Sequence, residues 1–62
     1  MMPFVTIKIM EGRDVEIKRE LCKSVAETIG RELNLPAENV IVQIEEMKKE
    51  NYWIGGKLFL DK

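Results

Sequence analysis

Pro3-Phe4-Val5-Thr6-Ile7-Lys8-Ile9-Met10-Glu11-Gly12-Arg13-Asp14 decides how this chain folds. Val5, Ile7 and Ile9 alternate with Phe4, Thr6 and Lys8, and β-branched residues dominate, which is the pattern of a strand over Phe4 to Met10. Pro3 suits the first position of such a strand, where its missing N–H does least harm. Glu11-Gly12-Arg13 reads as the connection, with Gly12 free to take a positive φ. Asp14 then reads as an N-cap, its carboxylate placed to accept from the first turn of a helix.

Beyond the cap, Leu21, Cys22, Val25, Ala26, Ile29 and Leu33 recur at three- and four-residue steps. This stripe predicts an amphipathic helix from about Val15 to Leu33. Lys18, Arg19, Lys23, Glu27, Arg31 and Glu32 mostly fall on the other side, and Cys22 on the stripe reads as a core residue. Gly30 lowers helix propensity and marks close packing, expected against the sheet. Leu35-Pro36 ends the helix, because a residue before proline favours extended backbone. Asn39 to Glu45, centred on Val40-Ile41-Val42-Gln43-Ile44, reads as a second strand. Strand, helix and strand in this order give a βαβ unit with parallel strands. Met47 to Asn51 is polar and loop-like, and Tyr52 to Leu60 reads as a hairpin turning at Gly55-Gly56. The expected fold class is α+β: a β-α-β unit followed by a C-terminal β-hairpin, in one domain over residues 1–62.

A chain of 62 residues that is 45% hydrophobic buries too little surface to be comfortably stable alone. One cysteine forms no internal disulfide, and a chain without histidine or clustered sulfur ligands is a poor candidate for structural zinc. Oligomerisation remains. The open sheet face expected to carry Phe4, Thr6, Ile41 and Gln43, and the apolar tail Leu58 to Leu60, supply surface for it. With 10 basic and 11 acidic residues the chain lacks the basic field of a nucleic-acid binder. No apolar run approaches the ~20 residues of a membrane span. A lone free thiol makes the cytoplasm the default location.

The opening Pro3 to Arg13, the pair Glu46-Met47, and Tyr52-Trp53-Ile54-Gly55-Gly56 together resemble the small tautomerases of the oxalocrotonate tautomerase family. The resemblance runs from Pro3 through nearly the whole chain and rests on the ordered set rather than on any one motif. It implies a homohexamer, a trimer of dimers. It also implies a cofactor-independent and metal-independent isomerase of the kind found in aromatic hydrocarbon catabolism, which converts 2-hydroxy-dienoates or enols of 2-oxo acids to their keto forms.

Under this resemblance, Pro3 is the general base. Freed of the residues before it, a proline carries a secondary amine. An α-amine ordinarily titrates near ~8, and burial among apolar groups such as Phe4 and Tyr52 disfavours its cation and brings it toward neutrality. Arg13 stands where the family has an arginine that binds the substrate carboxylate, a task suited to the guanidinium fork. Tyr52 stands at the family's active-site aromatic position, where Phe is typical. Trp53 reads as a packing residue, and the mixed charges Glu46, Lys48, Lys49 and Glu50 as a solvated stretch.

Two positions depart from the pattern. Ile41 stands where well-known members carry a second arginine, reaching the substrate from a neighbouring subunit. Tyr52, Lys8 and Lys57 are the candidates to supply that polarising donor instead. Met1-Met2 precede the proline, and Pro3 gains its amine only if both are removed, as when translation starts at Met2. A chain that keeps Met2 is expected to be a non-catalytic oligomeric module that binds small carboxylates through Arg13. Hydration, dehalogenation and decarboxylation, which relatives carry out with the same proline, rank lower, because no acidic residue is clearly placed to activate water.

Overall fold

The computed structural model describes residues 2–62; the expected removal of Met1 concerns a residue outside them. Strand β1 (Phe4–Met10), helix α1 (Val15–Leu33) and strand β2 (Ile41–Met47) form the body. A short arm follows, in which β3 (Trp53–Ile54) and β4 (Lys57–Leu58) make a hairpin flanked by 3-10 turns at Lys49–Asn51 and Phe59–Asp61. The first strand and the helix keep their expected bounds. The second strand starts two residues later than its sequence suggests, because Ala37–Asn39 winds into a 3-10 turn behind Pro36. The hairpin is also shorter than expected, since Phe59 to Asp61 coils rather than extends.

Local chemistry accounts for the helix ends. The Asp14 carboxylate accepts from the Ile17 N–H at 2.9 Å, satisfying one of the free donors of the first turn. At the far end Asn34 takes the left-handed conformation, with φ 59°. Leu35 N–H then donates to the Gly30 carbonyl at 2.7 Å, and Asn34 N–H to the Arg31 carbonyl at 3.3 Å. This is a Schellman closure, so the helix stops one residue before the Leu35-Pro36 pair that the sequence singled out.

Gly30 packs closely, but against the segment leaving the helix rather than against the sheet. A Cβ there would lie 2.7 Å from the Leu35 carbonyl oxygen and 3.3 Å from the Ala37 nitrogen. Gly30→Ala is therefore expected to destabilise the fold by about 1–2 kcal/mol, because overpacking against backbone outweighs the gain in helix propensity. Urea unfolding at fixed protein concentration measures it; an unchanged midpoint would show that the exit segment yields freely.

β1 and β2 pair in parallel, with Phe4 opposite Ile41, Thr6 opposite Gln43, Lys8 opposite Glu45 and Met10 opposite Met47. These residues share the open face of the sheet. Val5, Ile7, Val42 and Ile44 share the other face and are half-buried beneath α1, as are Leu21, Cys22, Val25, Ala26 and Ile29 of the helix stripe. Lys18 leaves the solvated side of the helix and reaches Glu46 of β2 at 2.5 Å, tying the start of α1 to the end of the sheet. Leu33, the last residue of the stripe, stays exposed.

The arm is held by its own contacts. Gly55 and Gly56, at φ 65° and 84°, form the tight turn of the two-residue hairpin. The Tyr52 and Phe59 rings meet edge to face with centroids 6.0 Å apart, a favoured aromatic geometry. Phe59 N–H also donates to the Tyr52 carbonyl at 2.7 Å. The resulting shape is elongated: the radius of gyration is 14.7 Å, against about 11 Å for a compact chain of this length. Val40 is the sole buried large apolar residue among those described, while Phe4 is 75% and Trp53 66% exposed. A subunit with so thin a core and so much open apolar surface presents interaction faces.

Candidate active site

Pro3 lies at the entrance to β1. Its carbonyl accepts from the Ile41 N–H at 2.9 Å, which fixes it beside the first residue of β2. Phe4, the next residue, faces outward on the open side of the sheet opposite Ile41. Pro3 itself is half-buried. Its ring fixes the N–Cα torsion and its carbonyl is held by β2, so the nitrogen is placed at the corner of the sheet from its C-terminal side.

Arg13 lies at the other end. Gly12, at φ 119°, turns the chain out of β1 in a conformation that side-chain-bearing residues rarely adopt. The Arg13 guanidinium then folds back and donates to the Met10 carbonyl at 3.1 Å. One of its five N–H donors is thereby used for positioning. The others face solvent on an exposed residue.

Tyr52 belongs to the same end as Arg13. Because β1 and β2 are parallel, both strands leave the sheet together, and the Glu11 N–H reaches the Met47 carbonyl at 3.0 Å. The turn Lys49–Asn51 follows, and Tyr52 comes directly after it, half-buried against Phe59.

The three candidate residues are thus not brought together within one subunit. Met10 lies seven residue steps beyond Pro3, and at ~3.3 Å per step that is about 23 Å. Among the described residues of one subunit no cavity forms. A site using all three must combine the Pro3 corner of one subunit with the Arg13 and Tyr52 end of another. Two sheets running antiparallel to each other would bring those ends side by side. The sequence contained the signal for this division, because a βαβ order forces both strand exits to one end, but the residue list alone did not disclose it.

Ile41 is a site neighbour that the sequence flagged only by comparison with relatives. Its cross-strand partner is Phe4, and its N–H bond to the Pro3 carbonyl sets it beside the proposed base. Lys8 lies farther along the open face, opposite Glu45, and Lys57 is in the arm. Neither shares the Pro3 corner within one subunit. No group of three His, Cys, Asp or Glu side chains placed to hold a metal occurs among the described residues, and no helix is long and apolar enough to cross a membrane.

Residues 3–62 match the family model described as tautomerase enzyme. A 2-hydroxymuconate tautomerase of Bacillus subtilis is 42% identical over 60 residues, covering 97% of each protein. Among solved structures, the fold is similar to that of YwhB, a homologue of 4-oxalocrotonate tautomerase, with a TM-score of 0.88 and 40% identity over 97% of this chain and 98% of that one. It is also similar to a chain of a heterohexamer 4-oxalocrotonate tautomerase from Chloroflexus aurantiacus, with a TM-score of 0.88 and 25% identity over 97% of each chain.

Proposed function

Because the chain belongs to the tautomerase family, we propose that it is a cofactor-independent isomerase that ketonises 2-hydroxy-dienoates and enols of 2-oxo acids with Pro3 as general base. The observation that carries this reading is that the family match begins at Pro3, the residue whose backbone the fold pins at the corner of the sheet. Once the residues before it are removed, its nitrogen is a secondary amine. The amine takes the proton from the enol hydroxyl, electrons shift through the diene, and the same proton returns to carbon as the C=O forms. The proton is moved rather than consumed, so the step calls for no redox partner.

In this reading Arg13 comes from a second subunit and binds the substrate carboxylate through the N–H groups that Met10 leaves free. Tyr52 arrives from that same end and shields the base from water, an environment that favours the neutral amine. The Lys18–Glu46 bridge holds the strand exits together where Arg13 and Tyr52 originate. The assembly is a homohexamer whose subunits cover one another's open sheet faces and receive one another's arms. The 14.7 Å radius of gyration and the exposed Phe4, Trp53 and Leu60 support this. The lone thiol Cys22 suits action in the cytoplasm.

The experiment follows ketonisation of 2-hydroxymuconate by loss of its dienol absorbance, in the native chain and in Pro3→Ala. General acid–base groups contribute about 10²–10⁴-fold, so Pro3→Ala is expected to lose ~10²-fold or more while its sedimentation stays that of six subunits. Full activity in Pro3→Ala would overturn the proline mechanism.

A second reading follows from Met2, which precedes Pro3 in the described chain. While Met2 is attached, the Pro3 nitrogen is an amide and has no basic lone pair. Such a chain keeps the scaffold and Arg13, and acts as an oligomeric module that binds small carboxylates without turning them over.

A further inference from the structure

Resting on the reading of Arg13 as the carboxylate clamp, we propose that Lys18 and Glu46 are positioning residues that set the Arg13 guanidinium for substrate and act only through it. Their ion pair closes a ring of bonds around the turn that carries Arg13. On the strand side, the Glu11 N–H donates to the Met47 carbonyl at 3.0 Å. On the helix side, the Lys18 N–H donates to the Asp14 carbonyl at 3.2 Å. The Lys18 ammonium then reaches Glu46, the neighbour of Met47 in β2, at 2.5 Å. Gly12 and Arg13 are enclosed between the two sides of this ring.

Side-chain packing does little to hold this turn. A Cβ at Gly12 would meet nothing within 4 Å, and Val15 and Ile17 of the first helical turn are more than half exposed. The apolar contact that fixes a helix on a sheet begins only at Leu21, the first half-buried apolar residue of α1. The pair also differs from the other ion pairs among the described residues. Arg19 with Glu16 and Arg31 with Glu32 join neighbours on exposed helix surface, whereas Lys18 and Glu46 are 28 positions apart and partly covered. An open ion pair contributes little to global stability. Inside a bonded network, however, its loss is felt by the groups it orients. Arg13 already spends one N–H on the Met10 carbonyl, and a turn free to shift carries the remaining donors away from a carboxylate. Arg13 holds that carboxylate both before and during proton transfer, so the loss falls on KM rather than kcat.

The test measures kcat and KM for 2-hydroxymuconate in the chain beginning at Pro3, with Lys18→Met, Glu46→Gln, their double variant and Lys18→Arg, and with Lys18→Met added to Arg13→Ala. Each single loss is expected to raise KM roughly 3- to 10-fold, within the range of coupling inside one bonded network, while kcat changes by less than about twofold. The double variant should cost no more than either single one, and Lys18→Arg, which keeps the bridge, should hold the native KM. In the Arg13→Ala background, Lys18→Met should add nothing. An unmoved KM in Lys18→Met, a loss confined to kcat, or an equal loss with and without Arg13 overturns the inference while leaving Arg13 as the clamp. A native KM in Arg13→Ala overturns the clamp and this inference with it, and no turnover by the native chain overturns the proline base as well. Should Lys18→Met fail to assemble, Glu46→Gln decides on the same outcomes, because it leaves behind only a lysine that water can solvate.

Discussion

Chain that retains Met2 is expected to ketonise 2-hydroxymuconate at least ~10²-fold more slowly than chain that begins at Pro3, the lower bound of what a positioned general base contributes. The cause is covalent. An N-terminal proline nitrogen holds a lone pair that accepts a proton; the same nitrogen joined to Met2 delocalises that pair into the amide and accepts none. The remainder of the subunit is little affected, because the Pro3 carbonyl keeps its bond to the Ile41 N–H in either form. Both forms should therefore sediment alike and unfold alike. Intact mass of each preparation, read beside its rate, makes the comparison. Equal rates in the two forms would remove Pro3 as the base; a large gap ties activity to processing. The active form should also lose rate as the pH falls and the amine becomes protonated, whereas the Met2 form has no such group at this position.

Arg13→Ala should cost about 10- to 100-fold in kcat/KM, carried mainly by KM. A hydrogen bond to a charged group contributes about 1.5–3 kcal/mol, and the guanidinium offers two such bonds to a carboxylate in one plane. Arg13→Lys should recover part of the loss, because an ammonium supplies charge without the fork. The side chain is exposed and its one intramolecular bond is to the Met10 carbonyl, so fold stability should hardly change. Because Arg13 and Pro3 lie at opposite ends of β1, a mixed assembly offers a sharper readout. Subunits carrying Pro3→Ala, combined with subunits carrying Arg13→Ala, should regain activity at sites that take an intact proline from one and an intact arginine from the other. No recovery on mixing would contradict a site shared between subunits.

Strand β1, the Asp14 cap and helix α1 were legible from residue pattern because each rests on chemistry close in sequence. Alternating β-branched residues make a strand, a carboxylate caps a first turn, and a three-four apolar repeat makes a helix face. The later boundaries were less legible. Val40 to Ile44 has strand composition, yet the strand begins only at Ile41 because Ala37–Asn39 coils behind Pro36. Gly30 was legible as a tight contact but not as to its partner, since the Leu35 carbonyl reaches it only after Asn34 reverses the chain. Lys18 reads as a solvated helix residue, and only the packing of α1 across the sheet brings Glu46, 28 positions away, within reach.

For the candidate site, the sequence by itself determined the chemical inventory: a proline ahead of the first strand, an arginine after its closing glycine, an aromatic pair before a double-glycine turn, and no histidine to do the work instead. These are properties of residue type and order, and they survive without any knowledge of where the chain goes. Tertiary structure, through a strand pairing that the βαβ order already implied, decided how that inventory is divided between the two ends. Parallel pairing of β1 with β2 sends both strand exits to one end, so Arg13 and Tyr52 share an end and Pro3 stands with Ile41 at the other. A strand pair of this length is too stiff to fold its own ends together, so one subunit carries both parts of the site but cannot join them.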